Sequence, residues 1–272
     1  MAKDFRFGIG LVGGGSRSRW QDAVRRAEGF GYDVLQVPDH LGAPAPFPAL
    51  LSAAEVSSMR LGTYVLNAGF YKPALLARDV AALEKLTDGR VELGLGTGYV
   101  KEEFDAAELP FPSAKNRVDY LGHVTSYLRE HVPSVPILIA GSGDRVVSLA
   151  ARQADIIGLT GGRDGSTADD PLAERIEFVR NAAGDRFDQL ELNMVITAVP
   201  HDGSGIPDLS MTRHYAPTLP DEKLLELPTV LTGTPRDMAD KLRHYRDAYG
   251  ISYISVQKKH AESFSKVIAE LR

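Results

Sequence analysis

The sequence of 272 residues contains no cysteine, which excludes disulfide bonds, thiolate metal sites and cysteine nucleophiles. It also lacks any run of about 18 consecutive apolar residues, the length that a membrane-spanning helix requires. The first fifteen residues, MAKDFRFGIGLVGGG, have neither the apolar run nor the small-residue cleavage site of a signal peptide. These absences predict a cytoplasmic protein that does not contact a membrane.

The chain also has no excess of positive charge. The chain has 31 Lys and Arg against 36 Asp and Glu, a formal net charge of −5, whereas nucleic-acid binding requires clustered basic residues. No H-x-x-x-H, paired-carboxylate or Ser–His–Asp spacing indicates a metal site, a glycosidase or a serine hydrolase. A small-molecule enzyme is therefore expected, with no nucleic-acid partner and no metal, and a local pocket for a phosphorylated ligand remains compatible with this charge.

Short β-forming runs alternate with helical patterns along the whole sequence. Eight strands are predicted, at residues 5–11, 34–37, 60–66, 91–95, 136–140, 155–159, 191–199 and 252–256. Helices are predicted at residues 19–30, 50–56, 73–86, 117–130, 145–153, 171–183, 235–248 and 263–271. The stretch 200–227 has little periodicity and is expected to be a lid or a mobile loop.

This alternation predicts an α/β protein, a single (β/α)8 TIM barrel spanning residues 1–272. A doubly wound open sheet is the alternative, but it requires a glycine-rich turn of spacing G-x-G-x-x-G after the first strand. The GGG at 13–15 does not have that spacing. The barrel is therefore preferred.

Asp39 and His40 directly follow the second predicted strand. In a barrel of this kind, ligands bind at the carboxyl-terminal ends of the strands. His40 could bond a ligand oxygen or move a proton near neutral pH, and Asp39 could fix its tautomer or cap the loop. A purely structural role, with Asp39 capping a turn and His40 packed beneath it, is the alternative.

Small and polar residues follow the next strands. They are Asn67, Ala68, Gly69 and Phe70 after the third, and Gly96, Thr97, Gly98 and Tyr99 after the fourth. Such residues let the backbone approach a flat ligand, although both stretches are also compatible with ordinary turns. Glu102 and Glu103 could act as an acid or a base, but adjacent carboxylates more often belong to a solvated face.

A phosphate-binding pattern follows the fifth strand. Gly141, Ser142 and Gly143 lead directly into a helix with Arg145 in its first turn, and free amides at a helix N-terminus bind anions. After the sixth strand come four further candidates, namely Thr160, Gly161, Gly162 and Arg163. The other histidines are expected to be exposed (His123, His131, His201, His214, His244 and His260), and His214 and Tyr215 in the lid stretch could touch a substrate.

Four blocks resemble the luciferase-like monooxygenase superfamily, in particular its branch of oxidoreductases dependent on the deazaflavin coenzyme F420. They are residues 23–40 (AVRRAEGFGYDVLQVPDH), 60–104 (RLGTYVL through GLGTGYVKEEF), 136–159 (PILIAGSG through ADIIGL) and 231–256 (LTGTPRDMADKLRHYRDAYGISYISV). The order and spacing of these blocks match the family.

The resemblance implies that F420, or alternatively FMN, lies at the carboxyl-terminal rim and exchanges a hydride with a bound substrate. It implies a catalytic role for His40, with Asp39 beside it, and a bulge with a non-prolyl cis peptide within Leu66, Asn67 and Ala68. The remaining implied cofactor contacts are Thr97, Gly98 and Tyr99 beside the ring, and Gly141, Ser142 and Gly143 at the phosphate, with Thr160 nearby.

The chain departs from the family in its shortened insertion loops: many relatives have a long, partly helical insertion between the fourth and fifth strands, whereas residues 128–136 form only a short stretch. An open site for a bulky natural-product or peptide substrate is therefore expected. A two-component FMN monooxygenase, a ligand-binding barrel without catalysis, and a phosphate-binding lyase or isomerase using Lys258 or Lys259 are the alternatives. A homodimer packed through the helix that contains Trp20 is also expected.

Overall fold

A closed barrel of parallel strands is the centre of the computed structural model, which describes residues 3–162, 166 and 168–272. Its strand segments are β1 (Arg6–Gly10), β2 (Val34–Val37), β3 (Arg60–Thr63), β4 (Leu66–Asn67), β5 (Val91–Gly96), β6 (Ile137–Ala140), β7 (Ile156–Leu159), β8 (Glu191–Ile196) and β9 (Ile251–Gln257). β1 pairs with both β2 and β9, and β3 pairs with β5, which closes the sheet. Because β3 and β4 are two parts of one barrel strand, the predicted eight-stranded TIM barrel is confirmed.

The helices surround this barrel. They are α1 (Arg17–Gly29), α2 (Pro46–Ala54), α3 (Pro73–Leu86), α4 (Lys101–Ala106), α5 (Ala114–His131), α6 (Asp144–Gln153), α7 (Pro171–Ala183), α8 (Ser210–Tyr215), α9 (Asp221–Glu226), α10 (Pro235–Tyr249) and α11 (Ala261–Leu271). α2 begins four residues earlier than predicted, because proline is tolerated in a first helical turn, where its missing N–H costs no hydrogen bond. Among the described residues, no helix is both long and apolar enough to span a bilayer.

The third barrel strand is interrupted between β3 and β4. The non-prolyl cis peptide joins Tyr64 and Val65, so its expected position within residues 66–68 is wrong. The interruption lies over two glycines of β5: a Cβ on Gly94 would be 2.0 Å from the carbonyl oxygen of Thr63, and one on Gly96 would be 2.7 Å from the Val65 side chain. Because Gly94 and Gly96 have no side chains, the segment between β3 and β4 has room to pack against β5.

A hydrogen-bonded polar cluster lies at the amino-terminal end of the barrel interior. The buried Glu92 carboxylate accepts hydrogen bonds from Arg6 at 2.6 Å and from the Tyr253 hydroxyl at 2.9 Å. Arg6 also pairs with Glu191, and Gln36 donates to the Tyr253 hydroxyl at 2.9 Å. Each buried polar group thereby has a partner, as burial in a medium of low dielectric constant requires.

A second polar group lies nearer the carboxyl-terminal end. The Tyr64 hydroxyl donates to the side-chain oxygen of Asn193 at 2.9 Å, and the amide of Asn193 donates to the Ser255 hydroxyl at 2.8 Å. Asn193 and Ser255 are buried. These bonds hold the Tyr64 side chain in one orientation just before the cis peptide.

The segment after β8 is anchored by three threonine hydroxyls. Thr197 contacts Thr212 at 2.8 Å and donates to Thr229 at 3.1 Å, and all three are buried. Thr212 lies in α8, so this short helix is attached to the barrel strand. The stretch expected to be a lid therefore contains two short helices, α8 and α9, and one of them is tied to the core.

His260 is fully buried, so its predicted exposure is wrong, whereas the other histidines that were expected to be exposed are so. Its Nε2 donates to the Thr197 carbonyl at 3.1 Å, and its ring stacks on His201 at a centroid distance of 5.1 Å. Burial lowers the pKa of His260 to about 4. The imidazole is accordingly neutral in the folded protein at ordinary pH.

The buried His260 should make stability depend on pH between about 6.5 and 4. In this range the unfolded chain, with a histidine pKa near 6.5, takes up a proton that the folded state excludes, so the free energy of unfolding should fall by about 3 kcal/mol as the pH decreases. Urea unfolding at pH 7 and pH 4.5 measures this. In His260→Asn the free energy of unfolding should no longer show this loss of about 3 kcal/mol between pH 7 and pH 4.5, whereas the control His244→Asn should still show it. An equal loss in both variants would contradict the assignment of the pH dependence to His260.

Candidate active site

His40 lies at the carboxyl-terminal rim and is paired with Glu103. Its Nδ1 is 2.9 Å from a carboxylate oxygen of Glu103. Because a carboxylate only accepts hydrogen bonds, Nδ1 carries the proton and Nε2 remains for a ligand. The His40 side chain is 47% exposed and that of Glu103 16%. A half-open imidazole held by a nearly covered carboxylate can exchange a proton with a bound substrate.

Asp39 is hydrogen-bonded to the neighbouring rim segment. Its carboxylate accepts from the backbone N–H of Asn67 at 3.1 Å and from the Tyr71 hydroxyl. Burial raises the pKa of Asp39, and these hydrogen bonds oppose that effect. The structure therefore places Asp39 as a link between the ends of β2 and β4, and Glu103 is the carboxylate that orients His40.

The end of β4 is packed closely against the end of β5. The Asn67 side-chain oxygen accepts from the Gly69 N–H at 3.0 Å, and a Cβ on Gly98 would lie 2.2 Å from that oxygen. Gly98 also has a positive φ of 68°, so only glycine fits there. Leu66 and Ala68 are completely buried. Leu66 and Ala68, which were expected to contact the cofactor, therefore support the rim from behind.

Three tyrosines belong to the rim segments. Tyr99 follows β5 and is 68% exposed, Tyr215 ends α8 and is 61% exposed, and the Tyr64 hydroxyl donates to Asn193. Burial raises the pKa of Tyr64, and Tyr215 adds to this; burial and then Tyr99 raise the pKa of Tyr215. Thr97 and Gly98, which precede Tyr99, are partly buried.

The loop of Gly141, Ser142 and Gly143 leads into the first turn of α6. The N-cap residue Gly143 has no side chain to cap the helix, and a Cβ at this position would meet nothing within 4 Å among the described residues. The buried Arg175 donates to the Asp144 carboxylate at 2.9 Å and to the Ser142 carbonyl at 3.1 Å. It thereby balances the acidic charge beside the loop, and the N-terminus of α6 suits a phosphate.

Thr160 is exposed just past β7. It is two residues beyond Gly158, the partner of Ala140 in the sheet, so Thr160 lies beside the Gly141 loop. Arg163, the cation expected from the sequence at this position, is outside the described residues. The phosphate-binding candidates of the fifth and sixth predicted strands are thus neighbours at one part of the rim.

Sequence patterns missed two residues of the site and did not decide a third. Glu103 was, with Glu102, a candidate acid or base, but a solvated face was the alternative; only its contact with His40 distinguishes it from the exposed Glu102. Arg175 and Tyr64 carried no signal at all. An arginine in an amphipathic helix and a tyrosine in a strand are ordinary, and their roles depend on residues far away in the chain.

Comparison with known proteins agrees with this arrangement. A family model for luciferase-like monooxygenases matches residues 4–202. An F420-dependent glucose-6-phosphate dehydrogenase of Kribbella flavida is 28% identical over 237 residues, which cover 75% of this chain and 70% of that protein. The enzyme of the same description from Nakamurella multipartita is 26% identical over 285 aligned positions, covering 85% of this chain and 84% of that protein.

Two solved structures have the same fold. The F420-dependent tetrahydromethanopterin reductase of Methanopyrus kandleri superposes with a TM-score of 0.77 at 18% identity, covering 99% of this chain and 97% of that one. An F420-dependent secondary alcohol dehydrogenase gives 0.75 at 17% identity, covering 99% of this chain and 100% of that one. At such low identity these structures establish the barrel architecture alone.

Proposed function

This chain belongs to the luciferase-like monooxygenase family, and from that premise we propose that it is an oxidoreductase that uses coenzyme F420 to exchange a hydride with an organic substrate. The observation that carries the proposal is the pairing of His40 with Glu103 at 2.9 Å, at the strand end where barrel enzymes bind their ligands. The curated relatives named above, which are described as F420-dependent, support F420 over FMN.

The rim contains groups that suit such a cofactor. Gly141, Ser142 and Gly143 would hold its phosphate at the N-terminus of α6. Thr97, Gly98 and Tyr99 would border its ring, and Asn67 with Asp39 would support the ring from below. When bound, the deazaflavin supplies or accepts the hydride at its C5 atom.

The protein's own part in the reaction is proton transfer and positioning. His40 Nε2 takes the hydroxyl proton when a substrate alcohol is oxidised, and gives a proton to the carbonyl oxygen in the reverse direction. Glu103 accepts a hydrogen bond from the Nδ1–H of His40 whether the imidazole is neutral or protonated. It also stabilises the imidazolium that forms when the substrate alcohol is oxidised.

Three narrower expectations stay proposals. An open mouth for a bulky natural-product or peptide substrate is the first; residues 132–136, which join α5 to the start of β6, lie at the amino-terminal end of the barrel and do not shape that mouth. A homodimer through α1 would have to use other residues than Trp20, because Trp20 is buried in its own chain and donates to the Ala49 carbonyl at 3.0 Å. The cytoplasmic location also stays a prediction.

The proposal is tested by titrating the protein with F420 and with FMN, each oxidised and reduced, followed by fluorescence or absorbance. We expect saturable binding of F420, with FMN at least about tenfold weaker. A preference for reduced FMN would instead indicate an oxygen-using monooxygenase, and binding of neither would indicate a barrel without redox function.

A pair of glycine variants locates the phosphate in the same titration. Gly143→Asp places a negative charge at the α6 N-terminus and should weaken F420 binding about tenfold or more. Gly29→Asp is the matched control, because Gly29 also has open space around its Cβ position and lies at the end of α1. Equal affinities in the two variants would contradict the phosphate assignment.

A further inference from the structure

We infer that the groove between α5 and α6 binds the γ-glutamyl tail of F420, an inference that rests on the proposed function and adds a second contact region for the same cofactor. Beyond its phosphate, this coenzyme carries a chain of γ-linked glutamates, which presents carboxylates and amide N–H groups. The groove contains side chains that suit both kinds of group, and none of them belongs to the His40–Glu103 pair.

An open groove of about 560 Å³ lies between α5 and α6, on the outside of the barrel. Gly122 of α5 lines it, and a Cβ at this position would lie 3.2 Å from the Leu149 side chain of α6. Two serines, Ser126 of α5 and Ser148 of α6, also line the groove. Because these side chains are small or absent, an open channel remains between the two helices.

The groove begins beside the proposed phosphate site. Asp144 and Arg145, the first two residues of α6, line it and directly follow Gly143 of the phosphate loop. Arg152 and Gln153, the last two residues of α6, line its other end. The 10 residues of α6 span about 15 Å. A chain that leaves a phosphate at the N-terminus of α6 can therefore follow the groove over this distance.

Two exposed arginines give the groove its positive charge. Arg145 and Arg152 are seven residues apart, so they lie on the same face of α6 and about 10 Å from each other along the helix axis. Among the described residues, neither arginine has an ion-pair partner. His123 of α5 adds a further hydrogen-bond donor. Successive carboxylates of one ligand can thus pair with successive arginines, each through two hydrogen bonds.

The acidic side chains of the groove are already engaged. Asp119 accepts a hydrogen bond from Lys115 at 3.1 Å, and Asp144 accepts one from the buried Arg175 at 2.9 Å. Their charges are therefore balanced within the protein. The positive charge of the two groove arginines remains available to an anionic ligand.

A buried acceptor at the floor of the groove indicates a ligand that also has N–H groups. The side-chain oxygen of Gln153 has no hydrogen-bond partner among the described residues, and a Cβ on Gly122 would lie 4.0 Å from it. An unpaired buried acceptor costs free energy. Since the terminal torsion of glutamine is broad, this oxygen can turn toward an amide N–H in the groove. A γ-glutamyl chain offers such N–H groups beside its carboxylates, whereas a simple carboxylate does not.

The test compares F420 that carries a tail of several glutamates with the form that carries none, in fluorescence titrations of the protein. At low ionic strength the tailed form should bind at least about fivefold more tightly, because each exposed ion pair contributes modestly to the affinity. In about 0.5 M NaCl this ratio of affinities should fall toward one, since salt screens exposed charges.

Two groove variants make the result specific. Arg152→Gln removes one cation and Ser126→Glu adds a negative charge, so each should reduce the ratio to about twofold or less. Both variants should bind the form without glutamates within about twofold of the wild type. Lys85→Gln is the matched control, because Lys85 is likewise an exposed cation in the last turn of a helix, α3. It should retain the ratio of the wild type.

The outcomes separate this inference from the proposed function. Equal affinities of the wild type for the two forms would overturn the inference and leave the proposed function intact. A preference for the tailed form that both groove variants retain would also overturn it, since the tail would then bind elsewhere. Binding of neither form would overturn the proposed function, and this inference with it.

Discussion

Replacing His40 with alanine should lower kcat by about 100- to 10,000-fold, the range that a positioned general acid–base group contributes. The dissociation constant of F420 should change by less than about threefold, because the proposed role of His40 is proton transfer with the substrate oxygen and not cofactor binding. The large effect on kcat is expected because His40 is the only described side chain that is paired with Glu103 at this strand end. Steady-state turnover of reduced F420 with a ketone substrate, beside the fluorescence titration, measures both quantities.

Two variants make this result specific. His244→Ala removes an exposed histidine of α10 and should leave kcat unchanged. Glu103→Gln keeps an oxygen that can accept the Nδ1 hydrogen bond but loses the charge, so its kcat should fall by about tenfold, less than in His40→Ala. A turnover number for His40→Ala within about twofold of the wild type would remove the imidazole from the mechanism.

Replacing Glu92 with alanine should lower the free energy of unfolding by about 3–5 kcal/mol, the usual effect of removing one partner of a buried ion pair. The change leaves the Tyr253 hydroxyl without its acceptor and Arg6 with Glu191 alone. Burial disfavours the charge of Arg6, but Glu92 and Glu191 hold its pKa above the usual value. Urea unfolding followed by circular dichroism and fluorescence, with coincident transitions, measures the loss.

An exposed ion pair supplies the control for this experiment. Glu55 pairs with Arg17 on the surface, where both side chains are more than half exposed. Glu55→Ala should therefore change the free energy of unfolding by less than about 1 kcal/mol. If Glu92→Ala were no more destabilising than Glu55→Ala, the polar cluster at the base of the barrel would contribute little to stability.

Much of the barrel was predictable from local patterns. The apolar stripes of α3 and α7 gave their bounds without error, and the alternation of strands with helices predicted the closed sheet. The break in the third barrel strand was expected only from the family resemblance, and at the wrong residues, because RLGTYVL is β-forming throughout. The cause lies in the glycines of β5, roughly thirty residues away, and packing of that kind leaves no trace in the local sequence.

The candidate site, like the barrel, was predictable only in part from the sequence. The rule that ligands bind at strand ends singled out His40 and the Gly141 loop. Glu103 is 63 residues beyond His40, and neither residue carries a mark of the other. His260 was expected to be exposed because a polar residue after a strand usually is; its burial depends on the fold of the segment after β8.

The contact of Thr197 with Thr212 and Thr229 after β8 indicates which part of this enzyme could be altered by mutagenesis. Thr197 and Thr229 bracket residues 198–228, and the adjacent Ala198–Val230 bridge joins the two ends of that stretch in parallel. The phosphate loop and the His40–Glu103 pair lie outside it. Substitutions in the intervening stretch that retain the buried Thr212 and Leu224 would therefore vary one side of the rim without changing His40, Glu103 or the Gly141 loop.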